Sequence, residues 1–205
     1  MIAIIDYGLG NSQAFVTLFD RLGFSAVRAR RSQDLRGATK LVLPGVGSFD
    51  HAMELLEGSG LRPELERLVN QEEVPVLGVC VGMQILANRS DEGHREGLGW
   101  ISGTVRDLAS EESWSGRLPT PHMGWNNVQP INNSGLLSGL DDSARFYFLH
   151  SYYFDCNDAS HVIATVDYGM DFPCAVQRDN VFGAQFHPEK SHHWGGLLLK
   201  NFAEL

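Results

Sequence analysis

The length, composition and charge of the chain exclude several classes of protein. Its 205 residues are enough for one α/β domain with a buried core, and they are few for two. Hydrophobic residues make up 43% and charged residues 20%, as in an ordinary soluble globular protein. The formal net charge of -9 repels phosphate backbones and anionic lipid, so neither nucleic acid nor a membrane is an expected partner.

Cysteine usage and hydropathy indicate a cytoplasmic protein. Cys80, Cys156 and Cys174 are widely spaced and form no Cys-x-x-Cys pair, so we expect neither a disulfide framework nor a zinc site. His192 and His193 are adjacent, their side chains should diverge, and no ligand cluster completes a metal site. We also predict no signal peptide, no bilayer span and no cofactor.

The first half of the chain alternates strand and helix signals. Short apolar runs predict strands at residues 1–5, 25–29, 40–43 and 74–79. Helical patterns cover residues 15–22, 49–70 with a break near 58–60, and 83–87. This alternation predicts an α/β fold with a doubly wound, mostly parallel sheet flanked by helices. Ligands bind such sheets at the carboxyl ends of the strands, where Asp6, Pro44-Gly45-Val46-Gly47 and Cys80 fall.

The second half has the signals of a β-rich addition to the same domain. Turn clusters separate short predicted strands at residues 100–108, 127–131, 145–149, 161–166, 173–177 and 181–185. We expect these strands to extend the parallel core in antiparallel fashion, and a last helix at residues 194–203 to close the domain. Residues 111–121 are predicted to be a loop. The whole chain, residues 1–205, is therefore predicted to be a single domain.

Gly78-Val79-Cys80-Val81-Gly82 has the form of a thiol nucleophile elbow. A sharp turn between a strand and a helix lifts the central side chain above the sheet, and flanking glycines let the backbone pass close neighbours. The helix N-terminus favours a thiolate. The competing interpretation is a buried structural cysteine, which is the usual state of an unpaired cysteine.

His187 and Glu189 can complete a catalytic triad with Cys80. A thiol nucleophile needs a base, and the base needs an acceptor that orients it. His187 stands at the end of a predicted strand, Pro188 turns the chain, and Glu189 can fold back onto the imidazole. Taken alone, His187 would be assigned a structural role, but an elbow cysteine in the same chain favours the triad.

The loop Pro44-Gly45-Val46-Gly47 can supply an oxyanion site. Its backbone N–H groups, with the amide of Val81 after the nucleophile, would point at the developing negative charge. One hypothesis is that this loop turns over before its amides point correctly.

Several separated motifs resemble the class I, triad-type glutamine amidotransferases along essentially the whole chain. The elbow is followed by Met83-Gln84 and, late in the chain, by Phe186-His187-Pro188-Glu189. Further motifs resemble the branch of the family that forms the glutaminase subunit of imidazole glycerol phosphate synthase. They are Asp6-Tyr7-Gly8-Leu9-Gly10-Asn11, Pro44-Gly45-Val46-Gly47-Ser48-Phe49, Pro121-His122-Met123-Gly124-Trp125-Asn126, Phe148-Leu149-His150-Ser151-Tyr152 and His187-Pro188-Glu189-Lys190-Ser191.

The resemblance implies a role for each matched residue. Cys80 would attack the side-chain amide of L-glutamine, His187 would move the protons, and Glu189 would orient His187. The residues implied in the oxyanion site and in substrate binding are Gly45, Val46, Gly47, Val81, Gln84, Glu92, Ser151 and Tyr152. The partner implied is a (β/α)8 cyclase subunit that receives the ammonia, and the residues facing it would be Asn11, Trp125, Tyr147 and Lys190.

Alternatives remain at this point. A paralogous glutaminase that supplies ammonia for amidination of a surface-polysaccharide sugar would have the same site. Cysteine peptidases and deglycase-like hydrolases also place an elbow cysteine on a doubly wound sheet, although Gln84 and the His187-Pro188-Glu189 order argue against them. A catalytically inactive binding protein is disfavoured by the complete set of Cys80, His187 and Glu189.

Overall fold

The computed structural model describes residues 1–114, 116 and 118–205. Its strands are β1 (Ile2–Ile5), β2 (Ala26–Ala29), β3 (Lys40–Gly45), β4 (Val76–Cys80), β5 (Arg89–Ser90), β6 (Gly103–Asp107), β7 (His122–Asn127), β8 (Gln129–Pro130), β9 (Arg145–His150), β10 (Tyr152–Cys156), β11 (Val162–Asp167), β12 (Asp171–Arg178) and β13 (Val181–Ala184). Its α-helices are α1 (Ser12–Arg21), α2 (Phe49–Gly58), α3 (Arg62–Asn70), α4 (Val81–Gln84) and α5 (His192–Glu204).

A mixed sheet organises the described residues. Eight of their strands pair in the order β2-β1-β3-β4-β13-β12-β11-β8. The pairs from β2 to β13 are parallel, and those from β13 to β8 are antiparallel. The predicted fold class, a doubly wound and mostly parallel sheet with added antiparallel strands, is confirmed.

Strands β1, β3 and β4 are almost wholly buried, whereas β2, at the edge of the sheet, is mostly half-buried. Every residue of β1 and β4 is buried, which explains why their sequences are continuous apolar runs without alternation. Strand β4 lies between β3 and β13 and pairs Cys80 with Gly45 at its carboxyl end. The fold therefore carries the elbow and the glycine loop to the same edge.

A two-stranded ribbon, β7 with β9, packs beside this edge. Its strands run antiparallel, and His122 pairs with His150 while Met123 pairs with Leu149. Side chains alternate between faces, so the two histidines are buried and Met123 and Leu149 are exposed. A separate sheet has the order β10-β6-β5.

Several predicted boundaries were wrong, most of them in the second half of the chain. The strand predicted at residues 127–131 is replaced by β7 and the short β8, and β10 was not predicted. The strand predicted at 100–108 is confined to β6, and the helix predicted at 83–87 is α4, which begins and ends earlier. Positions 115 and 117 of the predicted loop at 111–121 lie outside the described residues. The break near residues 58–60 divides α2 from α3 as expected.

Within the described part of the chain, no helix combines the length and the apolar character needed to cross a bilayer.

Candidate active site

Cys80 occupies a strained turn between β4 and α4. Its backbone has φ 55° and ψ -117°, a left-handed conformation that costs a residue with a side chain about 1–3 kcal/mol. The neighbouring glycines make the turn possible, because a Cβ on Gly82 would collide with the carbonyl oxygen of Leu43 and one on Gly45 with the amide of Gly82. Strain of this kind, held by close backbone packing, is typical of a nucleophile elbow.

His187 follows β13 and is fixed by its backbone to the neighbouring ribbon. Its N–H donates to the carbonyl of Tyr147 over 2.8 Å. The hydroxyl of Ser191 donates to the carbonyl of His187 over 2.6 Å and accepts from the N–H of Tyr147 over 3.0 Å. These bonds fix the backbone that carries the imidazole.

The imidazole of His187 joins Glu189 to Cys80. Its Nδ1 lies 2.8 Å from Oε1 of Glu189, and the two side chains are 4% and 6% exposed. Since a carboxylate accepts, Nδ1 carries the hydrogen, and Nε2 is left for Cys80. Burial disfavours the imidazolium, but hydrogen bonds and charge interactions with Cys80 and Glu189 outweigh it and raise the pKa of His187 to about 9.

The other two cysteines have surroundings that disfavour a thiolate. Burial, with Asp155 and Asp158 nearby, raises the pKa of Cys156 to about 12. Burial raises the pKa of Cys174 well above its ordinary value. Neither cysteine lines the cavity that contains Cys80. Among the three cysteines, Cys80 is therefore the one whose side chain faces the cavity.

A cavity of about 290 Å³ opens in front of Cys80. Its size suits a small metabolite, and both polar and apolar groups face it. The residues that line it are Val46, Gly47, Cys80, Val81, Gln84, Glu92, Pro121, Leu149, His150, Ser151, Tyr152, His187 and Lys190. The structure thus brings together most of the predicted site residues, with Gly45 directly behind the loop and Glu189 behind His187.

Gln84, at the end of α4, lines the cavity and forms two side-chain hydrogen bonds beside it. Its side-chain amide donates to the carbonyl of Tyr152 over 3.0 Å and to Oε1 of Gln185 over 3.1 Å. Nε2 of Gln185 in turn lies 3.9 Å from the sulfur of Cys80. The turn at Ser151 and Tyr152 is therefore connected through Gln84 and Gln185 to the sulfur of Cys80.

Glu92 reaches the cavity from a loop that is braced against α2. Its Oε2 accepts from the N–H of Phe49 at the start of that helix, over 2.8 Å. In the other direction, Asp50 of α2 accepts hydrogen bonds from the N–H groups of His94 and Arg95 in this loop, over 3.0–3.1 Å. A carboxylate at a helix N-terminus is favourably placed, and here it also faces the cavity.

The four predicted partner-facing residues lie at or near the surface. Trp125 is 40% exposed and stacks on His192, with ring centroids 5.2 Å apart. Tyr147 is half-buried, and the ammonium of Lys190 lies 5.6 Å from its ring centroid. Asn11 is exposed and caps α1 by accepting from the N–H of Ala14 over 3.1 Å.

Sequence reasoning missed four buried polar residues near the nucleophile. His150 and His122 form a hydrogen-bonded pair at the cavity, and Gln185 contacts the sulfur. Tyr7 is 5% exposed, and burial together with the nearby Cys80 raises its pKa. Each lies in or beside a motif that had been recognised, but nothing in the sequence shows which polar residues of a motif point inward.

Among the described residues, no group of three or more histidine, cysteine, aspartate or glutamate side chains is arranged to hold a metal ion.

The fold and the site define a class of enzyme. The family model for class-I glutamine amidotransferases matches residues 3–204, and the chain belongs to that family. A crystal structure of a glutamine amidotransferase superposes with a TM-score of 0.75 at 21% identity, covering 99% of this chain and 97% of that one. The PurLQS structure from Thermotoga maritima gives 0.73 at 15% identity, covering 99% and 97%. At such identities these two likenesses concern the fold.

Relatives of higher identity belong to one branch of the family. The chain is 56% identical to the imidazole glycerol phosphate synthase subunit HisH of Bdellovibrio bacteriovorus, over all 205 residues of both proteins. It is 52% identical to the HisH subunit of Leptospira interrogans, again over the full length of both. The resemblance to the family and to this branch, read from the sequence motifs, is confirmed.

Proposed function

We propose that this chain hydrolyses L-glutamine to glutamate and ammonia as the glutaminase subunit of an imidazole glycerol phosphate synthase. The observation that carries the proposal is the convergence of Cys80, His187 and Glu189 on one cavity at the carboxyl ends of the parallel strands. The whole chain acts as one domain, and the ammonia passes to a (β/α)8 cyclase subunit in histidine biosynthesis.

The first half of the reaction forms a thioester. The sulfur of Cys80 attacks the carbon of the side-chain amide, and the charge develops on the amide oxygen. When the carbon–nitrogen bond breaks, His187 gives its proton to the departing nitrogen, which leaves as ammonia. A pKa of about 9 supports this role, because the imidazole holds a proton at neutral pH.

The second half releases glutamate. His187, now neutral, takes a proton from a water molecule that attacks the γ-glutamyl thioester. The carbon–sulfur bond breaks, and Cys80 regains its starting state. Glu189 holds the hydrogen on Nδ1 throughout, so that Nε2 is always the nitrogen that faces the reaction.

Backbone amides stabilise the negative charge on the amide oxygen. The N–H of Val81 lies at the first position of α4, directly after the nucleophile. The loop that contains Gly45, Val46 and Gly47 enters the cavity from β3 and supplies the second donor. Removing one such donor lowers kcat by about 10²–10³ in well-studied enzymes. The substrate's amino and carboxyl groups are assigned to Glu92, Gln84, Ser151 and Tyr152.

An exposed apolar surface beside the cavity supports a partner subunit. Met123 is 63% exposed, Trp125 40% and Leu149 39%, all on the outer face of the β7–β9 ribbon. Val46 is 41% exposed across the cavity mouth, and both Val46 and Leu149 line the cavity. A protein seated on this surface covers the mouth, so ammonia leaves the site into the partner. Asn11, Tyr147 and Lys190 are assigned to the same interface.

The names of the relatives support the histidine pathway over sugar amidination. The relatives in Bdellovibrio and Leptospira are each named as a subunit of imidazole glycerol phosphate synthase. Capture of the partner from native extract tests this assignment. A histidine-pathway cyclase is the expected partner, and a sugar-amidination barrel in its place would contradict the pathway.

Replacing the nucleophile separates glutaminase from synthase activity. In the complex with the cyclase subunit, Cys80→Ala should abolish glutamine-dependent synthesis and leave ammonia-dependent synthesis intact. Cys156→Ala is the matched control, because it removes a thiol outside the cavity, and it should retain both activities. Loss of both activities in Cys80→Ala would mean that Cys80 maintains the fold instead.

The partner should also activate the site. We expect the isolated chain to hydrolyse glutamine poorly, and the rate to rise when the cyclase subunit and its ligand bind. The measurement is steady-state release of glutamate with and without the partner. A fully active isolated chain would contradict the proposed reorientation of the oxyanion loop.

A further inference from the structure

Two buried histidines beside the cavity have no role in the proposed chemistry. His122 is 2% exposed and His150 is 6% exposed, and they face each other across the inner side of the β7–β9 ribbon. The ring of His122 is stacked between Phe148 and Tyr168, at centroid distances of 4.4 and 3.9 Å. Buried polar rings need hydrogen-bond partners, so their contacts indicate what they do.

The contacts form a chain of hydrogen bonds in which every donor points the same way, from Asn126 through His122 and His150 to Tyr152. Nδ1 of His150 lies 2.9 Å from the carbonyl oxygen of Tyr152, which only accepts, so Nδ1 carries the hydrogen. Nε2 of His150 is then an acceptor, and Nδ1 of His122 donates to it over 3.1 Å. Nε2 of His122 is in turn an acceptor that faces the amide of Asn126 at 3.4 Å. In this arrangement both rings are neutral and carry their hydrogen on Nδ1.

This hydrogen-bond chain ends at the carbonyl of Tyr152, a residue that lines the cavity. The carbonyl of Tyr152 accepts from His150 and also from Gln84, over 2.9 and 3.0 Å. Two donors from different elements, β9 and α4, thus fix one carbonyl in the Ser151–Tyr152 turn, which lines the cavity. If His150 gained a proton on Nε2, two donors would face each other at 3.1 Å. If His122 gained one on Nε2, that N–H would face the amide of Asn126 at 3.4 Å. Either change would break the hydrogen-bond chain.

The surroundings of both rings favour the neutral form. Burial, with His122 and His187 nearby, lowers the pKa of His150 to about 3, although its bond to the Tyr152 carbonyl opposes the change. Burial lowers the pKa of His122 to about 4. A neutral pair at physiological pH is what the directional chain requires.

We propose that His122 and His150 are positioning residues for glutamine, acting as an Nδ1–H pair that fixes the carbonyl of Tyr152 and thereby the Ser151–Tyr152 turn. This inference rests on the proposed glutaminase function, because it concerns how that site holds its substrate. Neither histidine exchanges a proton during the reaction. Their contribution lies in the affinity of the site for glutamine and only weakly in the chemical step.

The tautomers can be read without any substrate. Nitrogen-15 NMR of the histidine rings in the wild-type chain bound to its cyclase subunit should show both His122 and His150 neutral at pH 7, with hydrogen on Nδ1. Assignment uses spectra of His122→Asn and His150→Asn. The Nε2–H form or an imidazolium on either ring would overturn the inference.

Kinetics of the complex test the positioning role. His150→Leu should raise KM for glutamine about tenfold, as expected for the loss of one hydrogen bond to a buried carbonyl, and change kcat by less than about threefold. His150→Asn keeps a donor at the position of Nδ1 and should restore most of the affinity. Phe172→Leu, which loosens packing against His150, is the control and should leave KM unchanged.

The outcomes distinguish this inference from the proposed function. Equal KM values for His150→Leu and wild type, or equal losses for the Leu and Asn variants, would overturn the positioning role. If the wild-type complex released no ammonia from glutamine, the proposed function would fail, and the positioning role with it. A wild-type complex that is active but carries the other tautomers would contradict this inference alone.

Discussion

Two buried imidazoles at the same cavity have opposite charge preferences. The pKa of His187 is raised to about 9, whereas the pKa of His150 is lowered to about 3, although both side chains are almost fully enclosed. The difference lies in their partners. His187 donates to the carboxylate of Glu189, and His150 donates to a backbone carbonyl and accepts from another neutral ring. Burial alone therefore does not decide the charge of a histidine, and the hydrogen-bond partner does.

The largest effect should come from making the His187 site resemble the His150 site. Glu189→Gln replaces the carboxylate by a neutral amide, so the pKa of His187 should fall and the preferred tautomer should be lost. We expect kcat for glutamine hydrolysis in the complex to fall by roughly 10²–10⁴, as for the orienting acid of other triads.

The pH–rate profile of Glu189→Gln should shift to lower pH on its basic side. Glu54→Gln, an exposed change on α2, is the matched control and should behave as wild type. An unchanged kcat in Glu189→Gln would mean that His187 needs no orienting acid.

Stability should depend on pH in opposite windows at the two sites. The pKa of His187 is raised in the folded protein. Its contribution to the free energy of unfolding is therefore complete below about pH 6.5 and is lost as the pH rises toward 9. The pKa values of His122 and His150 are lowered, so their contribution is present above about 6.5 and is lost as the pH falls toward 4 and 3. Between about pH 6 and these lowered pKa values, each of the two histidines should reduce the free energy of unfolding by about 1.4 kcal/mol for every unit that the pH falls.

Urea unfolding at pH 7, 6 and 5 measures the acid window. His122→Asn should lower the slope of unfolding free energy against pH by about 1 kcal/mol per unit. Phe148→Leu, which removes packing on the same ring, should lower stability equally at every pH. An unchanged slope in His122→Asn would show that the folded protein protonates this ring normally.

The carboxylates of Glu92 and Glu189 also differ in their partners. Glu92 accepts a hydrogen bond from a backbone amide, whereas Glu189 accepts one from the imidazole of His187. Glu92→Gln should weaken the cap on α2 by about 0.5–1 kcal/mol in unfolding free energy. If Glu92 also holds the substrate's amino group, KM for glutamine should rise by about tenfold or more, with a smaller change in kcat. Asp50→Asn disturbs the same brace from the other side and serves as the control. An unchanged KM would assign Glu92 to the brace alone.

The smallest effect concerns a third buried ring, the phenol of Tyr7. No described residue gives its hydroxyl a hydrogen-bond partner. Tyr7→Phe should therefore leave kcat nearly unchanged and alter the free energy of unfolding by no more than about 1 kcal/mol, in the stabilising direction. A clear loss of stability in urea unfolding would show that the hydroxyl is bonded in solution.

The parallel half of the fold could be predicted closely from the sequence. Strands β1, β2, β3 and β4 lie within two residues of their predicted bounds. For β1, β3 and β4 the reason is that strands buried on both faces read as continuous apolar runs. Strand β7 was missed for the opposite reason. Its inward positions are His122, Gly124 and Asn126, so no alternation of apolar residues marks it.

The residues of the site likewise fall into those that could be predicted from the sequence and those that could not. Cys80, His187 and Glu189 stand in short motifs whose local geometry follows from the sequence, such as a strand end followed by proline. The pairing of His122 with His150 and the contacts of Gln185 depend on which strands become neighbours, and that is decided by tertiary packing. Contacts between buried polar residues that lie far apart along the chain leave no pattern in a single sequence.

Covalent labelling tests the central claim, that Cys80 is the nucleophile activated by His187, most directly. A diazoketone analogue of glutamine should alkylate the wild-type complex once, and mass spectrometry of the digested chain should locate the label on the peptide that contains Cys80. Excess glutamine should protect this residue, and His187→Asn should slow its labelling. Labelling confined to Cys156 or Cys174, or full glutamine hydrolysis by Cys80→Ala, would contradict the account.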